Sequence, residues 1–468
     1  FAIAREYGFK SWTHLKQRLE PGNLPPPWKQ LRAAIDADDV EKLQTILANH
    51  PELLNQPLHE GEDGYFNQNH TSLAYAAQGG RVRSARYLAE KYPYLLHRPD
   101  HRGKTPINTL AHTMATGCEP LSSARREIYD YFKLLGAKPD LANAAKANDI
   151  ENVEELLRQG ADPYASAFLH GRLADGPAFV TAADAGNAET VKLFLKSAHP
   201  NSQIAFDAFS RALLTNHWDV IHLIEPFVPR ERLSECLCGC CEFLNLEGVE
   251  FLLRKGADPN IQIKPKDSRS YPLLIALDTY SRKPWRGKVI ETLINAGATQ
   301  WHPSSQMAIH RGRADLLAEY LDKDSTLIHR KIDEMESPQQ PDLKGATLLH
   351  LAAKYNELEC AKLLLEKGAD INAKQPVNEN GIGGGTPIFR VVACYKNFGI
   401  PLLRLFIERG ADFSVEATFQ QERLGFAEPE EPIKVTPLGW ARCHEHGWPE
   451  GRSTQEEIAM LRTAGAPE

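Results

Sequence analysis

One short string recurs along this chain and limits its fold more than any other feature. It stands at Gly160-Ala-Asp-Pro163, Gly256-Ala-Asp-Pro259, Gly368-Ala-Asp-Ile-Asn372 and Gly410-Ala-Asp412. Weaker versions stand at Gly136-Ala-Lys-Pro139, Gly297-Ala-Thr299 and Gly465-Ala466. Openings of the form Thr-Pro-apolar alternate with them at Thr105-Pro-Ile107, Thr386-Pro-Ile388 and Thr436-Pro-Leu438. There the threonine can cap a helix whose first position the proline takes. The landmarks return at intervals of about 33 to 40 residues, the signature of stacked supersecondary units that bury their apolar faces on one another. A chain of 468 residues would otherwise divide into several globular domains. An array instead extends its core along one axis.

The clearest unit runs Ala346-Thr-Leu-Leu-His-Leu-Ala-Ala-Lys354, then Leu358-Glu-Cys-Ala-Lys-Leu-Leu-Leu-Glu-Lys-Gly-Ala-Asp-Ile-Asn372. Leu349, Ala352 and Ala353 share one face of a first helix; Leu358, Ala361, Leu364 and Leu365 share one face of a second. Gly368 stops the second helix in a left-handed conformation, and the paired alanines let neighbouring helices approach closely. This pattern resembles the ankyrin repeat, and the resemblance implies an all-α solenoid of helix-turn-helix units. Extended through the chain, the template starts units near Leu31, Thr71, Thr105, Leu141, Ala178, Phe209, Leu237, Leu273, Ser304, Gly345, Thr386 and Thr436, about twelve in all. Residues 31–468 therefore read as the array, degenerate in its middle, and residues 1–30 as a helical leader with a proline-rich linker. The leader, Ala4-Arg-Glu-Tyr-Gly-Phe-Lys-Ser-Trp-Thr-His-Leu-Lys16, resembles one found in bacterial ankyrin proteins. At the far end residues 454–463 read as an exposed polar helix that caps the array.

The register also points to the side chains on the open face of the first helices. The position before each small pair gives Tyr75, Thr109, Asn143, Thr181, Arg211, Gly239, Ile275, Met307, Leu351, Arg390 and Trp440; the position after it gives Gln78, His112, Lys146, Asp184, Leu214, Glu242, Asp278, His310, Lys354 and Ala393. Between about Thr109 and His310 these describe a polar groove able to make many directed hydrogen bonds. Long connections at 56–70, 166–177, 261–271, 332–344, 374–385 and 415–435 overhang it, and long loops in compact proteins are functional or disordered. The first mixes acids, aromatics, amides and histidines, including Asp63, Tyr65 and His70, a composition suited to binding. Asn378-Glu-Asn-Gly-Ile-Gly-Gly-Gly385 reads as mostly flexible. It is no phosphate loop, since no Lys-Ser or Lys-Thr follows its glycines.

Chemistry is harder to find. Cys236, Cys238, Cys240 and Cys241 crowd one stretch, but Cys240 and Cys241 fall where Ala352 and Ala353 fall in the clear unit. They read as small buried hydrophobes, with sulfurs pointing apart around a helix, so no metal is expected. In Cys443-His-Glu-His446 the two imidazoles stand two positions apart and also diverge. His350 belongs to the resemblance, which implies that it ties neighbouring turns by hydrogen bonds. No cofactor motif occurs. A formal net charge of −7 argues against nucleic acid as the partner, and no stretch approaches the roughly 18 apolar residues of a membrane span. Unpaired thiols suit a reducing cytoplasm. Two functions stay open for what reads as a monomer. One is a scaffold binding a protein, or a polar small molecule or carbohydrate, in its groove, which the resemblance favours. The other is a hydrolase, conceivably of glycosides, with Asp184, Glu242 and Asp278 as acid and base on adjacent units.

Overall fold

The computed structural model describes residues 25–56, 71–100, 103–114, 123–165, 167–169, 172–264, 267, 270–279, 282–332, 343–392, 398–420, 432–444 and 455–467. The chain divides at Val228 into an N-terminal and a C-terminal body. In each body short helices follow one another in antiparallel pairs, as the repeating landmarks require.

In the N-terminal body the pairs are α1 (Pro27–Asp36) with α2 (Val40–Asn49), α3 (Ser72–Gln78) with α4 (Val82–Lys91), and α5 (Pro106–Met114) with α6 (Ser123–Leu134). After them come α7 (Leu141–Lys146) with α8 (Ile150–Arg158), α9 (Ala178–Asp184) with α10 (Ala188–Ser197), and α11 (Ser202–Leu214) with α12 (Trp218–Ile224). Each first helix packs on the first helix of the next pair, α3 on α5 and α9 on α11 for example. The core is continuous from Leu31 through Leu43, Leu73, Leu88, Leu110 and Phe132 to Ala147. Full burial of each Leu or Phe contributes about 1.5–3 kcal/mol. Between α8 and α9 the chain makes a two-stranded hairpin, β1 (Ala167–Leu169) with β2 (Arg172–Asp175).

The C-terminal body repeats the plan. It contains α13 (Leu233–Glu242) with α14 (Leu246–Arg254), α15 (Pro272–Asp278) with α16 (Arg286–Asn295), and α17 (Ser305–His310) with α18 (Ala314–Lys323). It continues with α19 (Leu348–Lys354) and α20 (Leu358–Glu366), α21 (Ile388–Val391) and α22 (Ile400–Glu408), and α23 (Pro437–Cys443) and α24 (Gln455–Thr463). One core joins Leu317, Leu349, Leu364, Leu403, Phe406, Leu438 and Leu461. The weak consensus at 202–224 and 304–333 still yields helix pairs.

Local chemistry sets the helix ends. Thr71, Asp140, Asn201, Asn245, Ser304 and Thr436 each accept a hydrogen bond from a backbone N–H of the first turn. Between the two helices of a pair the turn residue sits at positive φ. It is Asp38, Asn148, Asn216 or Asn356 where a short polar side chain stands there, but also Leu244 at 48°. After the second helix Gly368 takes φ 94° in open space, so the site demands glycine for its backbone alone.

Two expectations change. The glycine-rich connection before α21 is tied down rather than flexible: Asn378 N–H donates to Ile382 C=O, and Gly383 and Thr418 exchange both backbone hydrogen bonds. A Cβ on Gly383 would stand 2.2 Å from the Pro376 carbonyl oxygen, which forbids any other residue. Thr418 lies in β3 (Ala417–Phe419), which pairs with β4 (Ile433–Val435), so neighbouring connections form a small ladder. The final helix is not polar all round, since Glu457, Ile458 and Leu461 are buried. The leader at 4–16 lies outside the described residues.

Candidate binding face

The first helices carry the face that the register singles out. Tyr75, Gln78, Lys146, Thr181 and Arg390 are half-buried on it and Arg211 is exposed. Several are already committed locally. The Arg32 Nε donates to the Tyr75 hydroxyl at 2.9 Å, and that hydroxyl donates to Asp36 Oδ1 at 2.9 Å. Burial and the Asp36 carboxylate raise the Tyr75 pKa, so it stays a neutral donor. Thr181 Oγ1 donates back to the Pro177 carbonyl, and Arg390 Nη2 donates to Gln375 Oε1 at 2.9 Å.

Three expected members do not lie open. Thr109 is buried between helices with 3% of its surface exposed, Asn143 with 2% and His310 with 7%. Asn143 turns its carboxamide back to the capping Asp140, donating to both carboxylate oxygens at 2.9 Å. His310 is drawn inward by Arg286. His112 lies in α5, but its side chain is outside the described residues, as are Asp63, Tyr65 and His70.

The carboxylates considered for catalysis end three different first helices. Asp184 closes α9 in the N-terminal body; Glu242 and Asp278 close α13 and α15 in the C-terminal one. Glu242 and Asp278 are exposed and Asp184 is half-buried. Among the described residues no group of three or more His, Cys, Asp or Glu side chains could hold a metal. Cys236, Cys238, Cys240 and Cys241 are all buried free thiols. Burial pushes Cys238 up to about 12 and the others of the pair register, Cys240 and Cys241, further still. Cys240 and Cys241 are buried where the register puts Ala352 and Ala353 in the clear unit.

His350 has the tying role that the sequence suggested. Thr347 N–H donates to its Nδ1 at 3.2 Å, which leaves the ring proton on Nε2, facing the Gly385 carbonyl at 3.2 Å in the following pair. Burial holds its pKa down to about 3, so it is neutral.

Sequence reasoning missed a buried polar knot spanning three pairs. Arg286 has none of its surface exposed. Its Nη2 donates to Leu277 C=O at 2.9 Å, both terminal nitrogens lie 3.2 Å from His310 Nδ1, and the guanidinium lies 3.8 Å from the Tyr355 ring centroid. Burial and the Arg286 charge hold the His310 pKa far below its ordinary value, keeping it neutral and able to accept at Nδ1. Burial pushes the nearby Glu357 up to about 8, against the pull of Arg286. An arginine at the start of an amphipathic helix gives no sign in the sequence that it points inward. A second missed grouping is aromatic: Phe419 stacks on Trp440 with centroids 4.3 Å apart and lies 5.3 Å from Phe389, while His444 stands 4.2 Å from Trp440. Trp440 and Phe419 are both half-buried, Trp440 on the first helix α23 and Phe419 at the end of β3.

Comparison with known proteins places one repeat and describes a neighbour. The ankyrin repeat family profile matches residues 344–375, the unit built around Thr347 and His350. The crystal structure of the human ASB11 ankyrin repeat domain is 16% identical, with 58% of this chain and 99% of that one covered and a TM-score of 0.27. No curated protein matches the chain.

Proposed function

The chain is an ankyrin-repeat protein, and from that premise we propose that it is a non-catalytic scaffold whose first-helix row holds a protein partner. In this reading the array comprises about twelve repeats across both bodies. The observation that carries the proposal is the first-helix row of each body taken by itself: Gln78, Lys146, Thr181 and Arg211 in the N-terminal body, and Arg390 in the C-terminal one, bring varied polar side chains to half-buried or exposed positions. Trp440 and Phe419 add a broad apolar contact of the kind that anchors interfaces. Such a row favours an extended, adaptable contact over the enclosed pocket that a small ligand needs. The free, buried cysteines fit a reducing compartment. Among the described residues no helix is long and apolar enough to cross a membrane.

A photo-crosslinking residue placed singly at Thr181, Arg211 or Arg390, and for comparison at exposed Arg254 on a second helix, tests the proposal in the cell of origin. Crosslinks to a common partner from the first-helix positions, and none from Arg254, are expected. Equal capture from both faces would overturn the assignment. The carboxylates serve as a separate check: D184N, E242Q and D278N should each leave that capture largely intact, whereas a hydrolase would lose turnover in at least one of them.

A further inference from the structure

In an array of stacked repeats each unit touches only its neighbours, and stability is a sum of unit and nearest-neighbour terms. The turn between α15 and α16 breaks that rule. Arg282 Nη1 donates to the Arg390 carbonyl at the end of α21, 2.7 Å away and 108 residues along the chain. The Arg282 carbonyl in turn accepts from Asn356 Nδ2 at 3.1 Å, in the turn between α19 and α20. Trp285 sets its ring edge to face against Phe398, just before α22, with centroids 6.1 Å apart and planes at 73°. The same turn is anchored backward as well. Trp285 Nε1 donates to the carbonyl of Leu244, the apolar residue held at positive φ, at 2.8 Å, and Lys283 Nζ donates to Phe243 C=O at 2.7 Å.

These contacts skip pairs. Between the α15–α16 turn and α21 lie the two complete pairs α17/α18 and α19/α20, whose own turns are short. Arg282 and Trp285 on one side reach Arg390 and Phe398 on the other across them. Beneath the meeting point the Arg286, His310 and Tyr355 knot fastens the same pairs from inside.

We propose that Arg282 and Trp285 form a clasp that makes the four helix pairs from α15 to α22 a single cooperative block, opening together rather than repeat by repeat. The chemistry suits that role. Arg282 donates to a helix C-terminal carbonyl, where a cation is favoured by the helix dipole, and the Trp285–Phe398 edge contact adds an aromatic pair that a neighbour-only array lacks. A block of this kind presents the first-helix row of α15 to α21 in one fixed spacing, so a partner meets it preorganised.

Amide hydrogen exchange of the full chain, read by mass spectrometry on helical peptides, tests the clasp through two reciprocal variants. R282A should speed exchange in α22 by about tenfold, although two complete pairs separate the two sites along the array. F398A should speed exchange in α16 by a similar factor, again at a distance. Helix α8, in the N-terminal body, is the internal reference and should not change in either variant. Acceleration confined to the substituted pair and its immediate neighbours, in both variants, would overturn the proposal by returning the array to nearest-neighbour behaviour. If F398A loses helix content, R282A decides alone, because its half-buried side chain leaves the core intact; R282K, which keeps a donor of similar reach, should then restore part of the protection in α22.

Discussion

Acidification singles out His350. Its Nδ1 accepts from the Thr347 N–H and its Nε2–H faces the Gly385 carbonyl, so the buried ring is matched to the neutral state alone. A second proton would have to enter at Nδ1, against a donor, in a position with none of its surface exposed. Its pKa is accordingly about 3, against an ordinary value of 6.5. A folded-state pKa below the unfolded one means that the ring's contribution is complete above pH 6.5 and is lost as the pH falls toward 3. Each pH unit inside that window costs about 1.4 kcal/mol. Moving from pH 7 to pH 5 should therefore remove roughly 2 kcal/mol through this residue. Urea unfolding followed by circular dichroism at both pH values, with exchange of the α19 peptide as the local readout, measures it. H350Q cannot titrate. It should start less stable at pH 7, having lost the fitted imidazole, but lose roughly 2 kcal/mol less than the native chain over the same interval. His310, also held neutral by burial, titrates in both proteins and cancels. Equal losses in the two would refute the reasoning.

Other outcomes follow from the same structure. Glu357, pushed up to about 8, has the opposite sign: its contribution is complete below about 4.5 and lost as the pH rises through 8, so E357Q should gain on the native chain in alkaline urea titrations. R286A should cost roughly 2–5 kcal/mol in urea unfolding, because it leaves the Leu277 carbonyl and His310 Nδ1 as buried acceptors without their donor, at about 1–3 kcal/mol each. G368A should cost about 1 kcal/mol by thermal unfolding, from backbone strain alone, since no atom stands within 4 Å of the added methyl. Limited alkylation with peptide mapping should modify the exposed Cys443 well before Cys236, Cys238, Cys240, Cys241 or Cys360, which require unfolding first.

The fold was legible because its determinants are local and repeated. Gly368 announces a left-handed helix end from its neighbours alone, and Cys240 and Cys241 could be placed by analogy with Ala352 and Ala353. Even the unit near Phe209, with little consensus left, kept enough apolar spacing for α11 and α12. The face was legible only in part. Periodicity says which way a Cα–Cβ bond points, but not where a polar side chain of several atoms ends. Asn143 turned back to its own cap and His310 turned in to Arg286, both by hydrogen bonds that periodicity does not encode. The contacts of Arg282 with Arg390 and of Trp285 with Phe398 were out of reach for a different reason: they depend on the accumulated geometry of the pairs between them.

One set of the hydrogen bonds linking successive pairs runs from the later pair back to the earlier one. Arg83 and Ser84 N–H donate to Asp38, Arg125 Nε to the Gln78 carbonyl, Asn187 Nδ2 to the Ala145 and Lys146 carbonyls, and Trp285 Nε1 to the Leu244 carbonyl. In each, the acceptor belongs to the earlier pair and the donor to the later one. At these junctions the carbonyls that end one pair's first helix or its turn are covered by the pair that follows, so a chain shortened after such a pair would leave those acceptors to water.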